Sequence, residues 1–259
     1  MSSVTQRINE IKQPRGGYIK PSQLEVKELN DGKILFENEN LHASVVGMAV
    51  DYLTRLSMGT HADEAFSVSL QGAMLASSFG VPDAIQMANH LLSNIKGLDD
   101  KSVISACKLT TFDVWFRNMP AALMAKNAAD TNPDSYTIQN IQTMVKRSIT
   151  FWDMYGPIIK DGFTFEQHGY TQTVNSGDGD FLTRDTMWDF KVSKSKPTNK
   201  HTLQLLMYWI MGQHSGKSEF KDITNIGIFN PRLNTVYTFP VSKVELSTVR
   251  TIEAEVICY

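Results

Sequence analysis

The chain has 259 residues, 42% hydrophobic and 20% charged, with 25 Lys and Arg against 27 Asp and Glu for a formal net charge of −2. That is the composition of an ordinary globular protein able to bury a sizeable core, and it gives no global attraction to nucleic acid, so any such binding must be local. Two cysteines exclude a disulfide framework or a four-cysteine zinc or iron–sulfur site; with no apolar run near the ~20 residues of a membrane span and no apolar signal region at the start, a cytoplasmic protein is expected.

Residues 1–40 read as a leader, because Pro14, Gly16, Gly17 and Pro21 interrupt any helix, and a short hairpin is expected around Asp31 and Gly32. Residues 41–160 read as a helical region. Its first helix carries an apolar stripe of Val45, Met48, Tyr52 and Leu56 and ends at Gly59. Asp51 falls inside this nearly apolar segment, where a carboxylate needs water, a cation, a donor or a metal; Arg55, four residues on, offers an ordinary ion pair. Further helices are expected over 65–80, 82–97, 101–119 and 135–156, the second opening on Pro82 and the last closed by Gly156. Phe112, Trp115 and Phe116 have helical spacing, which assigns them to a core rather than to a base-stacking platform. His61, Asp63 and His90 show no ligand-like spacing.

Residues 161–259 carry the chemistry. A strand is expected over 163–174, with Glu166 and His168 on one face of it. A second strand carries Asp180 and closes with Phe181 and Leu182; Arg184 and Asp185 make the turn, and a third strand over 187–192 holds Asp189, Phe190 and Lys191. Alternation along a strand puts Asp189 and Lys191 on one face and sends Phe190 into the core. The hairpin can bring Asp180 opposite Asp189, placing two carboxylates beside an ammonium. Clustered carboxylates repel unless a cation or proton intervenes, and oxygen donors of this kind suit magnesium or manganese. The loop that follows, with Lys194, Lys196 and Lys200, is basic enough to neutralise phosphates locally. Thr198 or Asn199 can cap a helix over 201–214, on which Gln204 and Tyr208 share one face while Leu203, Leu206, Met207 and Ile210 pack on the sheet. A hairpin turning at 230–234 and a terminal helix complete an α/β fold.

Asp180, the Asp189-Phe190-Lys191 triplet and the Gln204…Tyr208 pair resemble, in order and in placement on strand, strand and helix, the PD-(D/E)xK nuclease superfamily and its RecB-like branch with the QxxxY helix. The resemblance covers roughly residues 163–240; Gly179 stands where the family name has proline, and the iron–sulfur cysteines of some RecB-like enzymes are missing. It implies a restriction-endonuclease-like core of order α-β-β-β-α-β with a large N-terminal helical region. It also implies a magnesium- or manganese-dependent nuclease, most in keeping with a DNA exonuclease. Asp180, Asp189 and the backbone carbonyl of Phe190 would be metal ligands, with Asp51 the expected third side chain and His42 its competitor. Lys191 would be the catalytic lysine, and Gln204 and Tyr208 would contact the phosphate backbone or orient Lys191. Lys194, Lys196, Lys200 and Arg184 are the expected nucleic-acid contacts. Rings and dimers both occur in the family, so a homo-oligomer is compatible with it. The alternative is a nuclease-fold protein that no longer cuts and binds nucleic acid or a protein partner; GxxxxGK[ST], GxGxxG and GxSxG, which would indicate other chemistries, are absent.

Overall fold

The computed structural model describes residues 2–124 and 127–259. The chain forms two compact units, Met1–Asn30 with Phe151–Tyr259 and, between them in sequence, Asp31–Thr150. In chain order the elements are β1 (Ser2–Ser3), α1 (Val4–Glu10), β2 (Glu25–Glu28), α2 (Ala43–Ser57), α3 (Ala62–Ala65), α4 (Ser67–Ser78), α5 (Ala84–Ser93), α6 (Asp100–Leu109), α7 (Asp113–Arg117), α8 (Met119–Ala122), α9 (Ser135–Tyr155), β3 (Lys160–Phe163), β4 (Val174–Ser176), β5 (Gly179–Leu182), β6 (Thr186–Phe190), α10 (Asn199–Ser215), β7 (Asn225–Asn230), β8 (Thr235–Pro240) and α11 (Leu246–Thr251), which runs on as a π-helical turn, Ile252–Ile257.

The first unit is an α/β fold around a mixed six-stranded sheet of order β2-β8-β7-β6-β5-β3. Neighbours are antiparallel except β6 and β7, which run parallel across the helical crossover α10. The β6 sequence TMWDF shows why the sheet is covered on both faces. Trp188 and Phe190 turn to one side, where Phe151 stacks flat on Phe229 at 4.1 Å and meets Trp188 edge-on at 4.9 Å. Met187 and Asp189 turn to the other, where Met187 joins the core built with Leu203, Leu206, Met207 and Ile210 of α10. The same alternation in β5 sends Phe181 against Trp152, at 4.7 Å, and Leu182 into the α10 core.

Residues 1–40 are not the leader the sequence suggested. Val4 and Ile8 of α1 are buried in the α10-side core, Ser3 and Gln6 form a reciprocal capping box, and Arg7 donates to the carbonyls of Val256 and Glu255 at 2.7 and 2.8 Å. The hairpin expected at Asp31 does not form. The strand there is β2, and its partner is β8, more than two hundred residues on. The strand expected over 163–174 also stops short, at Phe163. Phe165 is fully buried and Gly169 N donates to its carbonyl at 2.8 Å, closing a turn in which Glu166, Gln167 and His168 are exposed. A Cβ on Gly169 would stand 2.5 Å from the carbonyls of Met211 and Phe165, so a glycine is what lets this turn lie on α10. At Val174 the chain resumes as β4, parallel to β1.

The second unit is helical. Its third expected helix, 101–119, divides into α6 and α7 at Thr110–Phe112. The hydroxyls of Thr110 and Thr111 turn back onto the carbonyls of Cys107 and Lys108 at 3.1 and 2.6 Å, a competition with the helical ladder that suits a break. At that break Phe112 is buried while Phe116 is half exposed, so only part of the aromatic cluster is core. Asp113, wholly buried, accepts from Tyr52 at 2.5 Å and from Ser69, and Arg147 forks onto Asp31 at 2.8 and 2.9 Å. Among the described residues no helix is long and apolar enough to cross a membrane.

Candidate active site

The hairpin β5–β6 sets the site. Phe181 pairs with Trp188 and Leu182 with Met187. One step further from the turn the same ladder puts Asp180 level with Asp189, both on the face covered by α10. Gly179 precedes Asp180 for a steric reason: it lies opposite Phe163 on β3, and a Cβ there would stand 2.0 Å from the Phe163 ring. A side chain at that position requires the Phe163 ring to move, so glycine is what lets the two strands pack as they do.

Asp180 Oδ2 accepts the Phe190 backbone N–H at 2.7 Å, tying the first acid to the strand that carries the second. Asp189 is 3% exposed. Its Oδ1 meets Lys191 Nζ at 2.9 Å, while its Oδ2 is buried with no hydrogen-bond partner. An unpaired carboxylate oxygen in that setting is costly unless a water, another donor or a cation occupies the place beside it. Lys191 lies one residue beyond the end of β6 rather than within the strand, but its N–H still donates to Phe229 O at 3.0 Å, so it keeps the strand's alternation and stays on the Asp189 face.

On α10, Gln204 Nε2 donates to the Tyr208 hydroxyl at 3.1 Å. Burial raises the Tyr208 pKa well above the usual phenol range, and the charges of Asp189, Asp180 and Asp178 raise it further. The phenol is therefore neutral at all ordinary pH values. The five residues Asp180, Asp189, Lys191, Gln204 and Tyr208 thus share one face of the sheet and its covering helix.

The other expected residues distribute as follows. The Phe190 carbonyl follows Asp189 on the strand. Lys194, Lys196 and Lys200 are exposed, with Lys200 Nζ donating to Asn9 at 2.6 Å. Arg184 is exposed in the β5–β6 turn, at the opposite end of the ladder from Asp180 and Lys191. It is five residues from Asp189 at about 3.3 Å per residue of strand. Asp51 and His42 belong to the second unit. Asp51 pairs with Arg55 at 2.9 Å, the ordinary i+4 ion pair, and His42 caps α2 through Ser44, with Nδ1 2.7 Å from its hydroxyl. Among the described residues, no three His, Cys, Asp or Glu side chains gather as a metal-holding group. A cation here would have Asp180, Asp189 and a backbone oxygen as its ligands, and the unsatisfied Asp189 Oδ2 fits that role.

Three residues that sequence reasoning passed over belong to this neighbourhood. Asp178 lies on the approach to β5. Asn230, 1% exposed, anchors the basic loop: its Nδ2 donates to Ser193 O at 2.8 Å, and its Oδ1 accepts from Arg232 N at 3.0 Å. His201 occupies the third position of α10 and accepts the Thr198 N–H on Nδ1 at 3.0 Å. Burial, and then the Lys191 charge, hold its pKa below the ordinary histidine value. Asn230 was legible only as a turn residue, and His201 only as the start of a helix. No family model, curated protein or solved structure matches the chain.

Proposed function

We propose that the chain is a divalent-metal-dependent nuclease of the PD-(D/E)xK type, RecB-like, acting on the phosphodiester bonds of nucleic acid and of DNA in particular. The observation that carries this reading is the buried, unpartnered Oδ2 of Asp189, a residue paired with Lys191 and level with Asp180 on one face of the sheet. The element order α9-β3-β5-β6-α10-β7, with β6 and β7 parallel, supports a restriction-endonuclease-like core interrupted by the short β4. The pairing of Gln204 with Tyr208 on the helix covering the acids supports the RecB-like branch.

Magnesium or manganese held by Asp180, Asp189 and the Phe190 carbonyl would supply Lewis acidity toward the phosphate and an acidified water. The protein's own groups do the rest. Asp189 Oδ1 fixes the Lys191 ammonium, which offsets charge on the phosphate and orients the attacking water. The Phe190 N–H holds the Asp180 carboxylate in place, so the two acids keep their spacing without an ion. Gln204, oriented by the Tyr208 hydroxyl, presents its remaining amide groups toward the phosphate backbone. Lys194, Lys196 and Lys200 attract the strand by local charge despite the net charge of −2.

The test is incubation with linear and circular, single- and double-stranded DNA in magnesium or manganese, beside the Lys191→Ala variant. Wild type is expected to cleave at least one substrate and lose the activity in EDTA, and the variant to be inactive while remaining folded. Lys191→Ala cleaving as wild type does ends the assignment.

A further inference from the structure

His201 lies three residues before Gln204 and seven before Tyr208, so the three side chains form one stripe along α10. The ring is held by the capping box that opens the helix: its Nδ1 accepts the Thr198 N–H at 3.0 Å. A ring nitrogen that accepts a hydrogen bond carries no proton, so in the neutral imidazole the proton sits on Nε2. No described residue hydrogen-bonds to Nε2. The ring stands close enough to Lys191 for that ammonium to disfavour a charged imidazole, and burial acts in the same sense. A neutral N–H donor in fixed orientation therefore accompanies Lys191 at the end of the site where the basic loop begins.

We infer that His201 is a substrate contact, donating from Nε2–H to a non-bridging phosphate oxygen of the nucleic-acid strand next to the one beside Lys191. This rests on the nuclease reading of the site. A second ammonium in that place would repel Lys191, whereas a neutral donor satisfies the phosphate without competing for Asp189. The contact carries no base information, since phosphate contacts position a strand and do not read its sequence. It extends the substrate path from Lys191 along α10 toward Lys200, whose ammonium is already oriented by Asn9 at 2.6 Å.

The discriminating variants are His201→Gln and His201→Glu. Glutamine at this third helical position is the usual partner in a capping box and can keep the Thr198 N–H satisfied, but its amide keeps a donor, so His201→Glu, which caps in the same way and has no donor, is measured beside it. Binding of a short single-stranded oligonucleotide and of a duplex is measured by fluorescence anisotropy in calcium, with thermal unfolding in parallel. Both are expected to unfold at the wild-type temperature, and His201→Glu to bind about tenfold more weakly, the scale of one hydrogen bond to a charged group. The loss should be equal for unrelated sequences. His201→Ala, which also loses the cap, is expected to be less stable as well. If wild type binds and His201→Glu binds equally well, the inference fails and the nuclease reading stands. If wild type binds neither nucleic acid, both fail.

Discussion

Asp189→Asn is expected to reduce divalent-dependent cleavage by at least about a thousandfold while leaving the protein folded and at least as stable as wild type in metal-free buffer. The size of the loss follows from what the side chain would hold. Removing one fixed electrostatic contact to a developing charge costs about a hundred- to a thousandfold, and a metal ligand supports a larger share of that charge. The direction of the stability change follows from the geometry. Asp189 is 3% exposed, and one of its two oxygens has no partner, so the folded chain carries an incompletely satisfied carboxylate in its interior. The amide removes the buried charge at almost no change in volume. Lys191, whose side chain is 29% exposed, can reach water once its partner is neutral. A site kept for function at the expense of stability should behave in this way. The check is a cleavage time course together with thermal unfolding in EDTA; an Asp189→Asn protein that is inactive only because it is unfolded contradicts the account.

Phe151→Ala is expected to be the most destabilising single truncation in the sheet-containing unit, at about 3–5 kcal/mol. Against a typical domain stability of about 5–15 kcal/mol, that leaves little margin. Phe151 is fully buried. It stacks on Phe229 at 4.1 Å with an interplanar angle of 1°, meets Trp188 at 4.9 Å and lies against Tyr155 at 4.8 Å. Trp188 lies on the strand that carries Asp189 and Phe229 on its parallel partner, so the cavity opens directly behind the site. Met154, on the same helix and half exposed, supplies the comparison: Met154→Ala is expected to stay within about 0.5 kcal/mol of wild type. Urea unfolding of the two variants measures the difference, and equal midpoints would contradict the packing described here.

The hairpin of the site and α10 were legible in the sequence because their signals are local. Period-two alternation in TMWDF orients Asp189 and Phe190 without reference to anything distant, and the four-residue interval between Gln204 and Tyr208 fixes their shared face. What the sequence could not convey is long-range. Nothing in residues 1–40 announces that Val4 and Ile8 pack beneath α10 or that Glu25–Glu28 pairs with β8, because the partners lie at the other end of the chain. The 163–174 segment has strand-like composition, yet the burial of Phe165 and Gly169 against α10 turns it away from the sheet, so Glu166 and His168 end in an exposed turn. Asp51 shows a further boundary. Its place in an apolar stripe marked it as needing a partner, and the Arg55 ion pair that its spacing allows is present, at 2.9 Å. His201 and Asn230 escaped notice because each looks like a residue that merely starts or ends an element. Their roles appear only when the Lys191 loop is seen between them.

The proposed activity depends on a doubly charged ion being held between Asp180 and Asp189, and a calorimetric titration of the metal-free protein with manganese tests that most directly. Wild type is expected to show a saturable binding heat that Asp189→Asn lacks, and to gain thermal stability as manganese is added where the variant does not. Identical titrations of the two proteins, or a wild type that takes up no manganese, would contradict it.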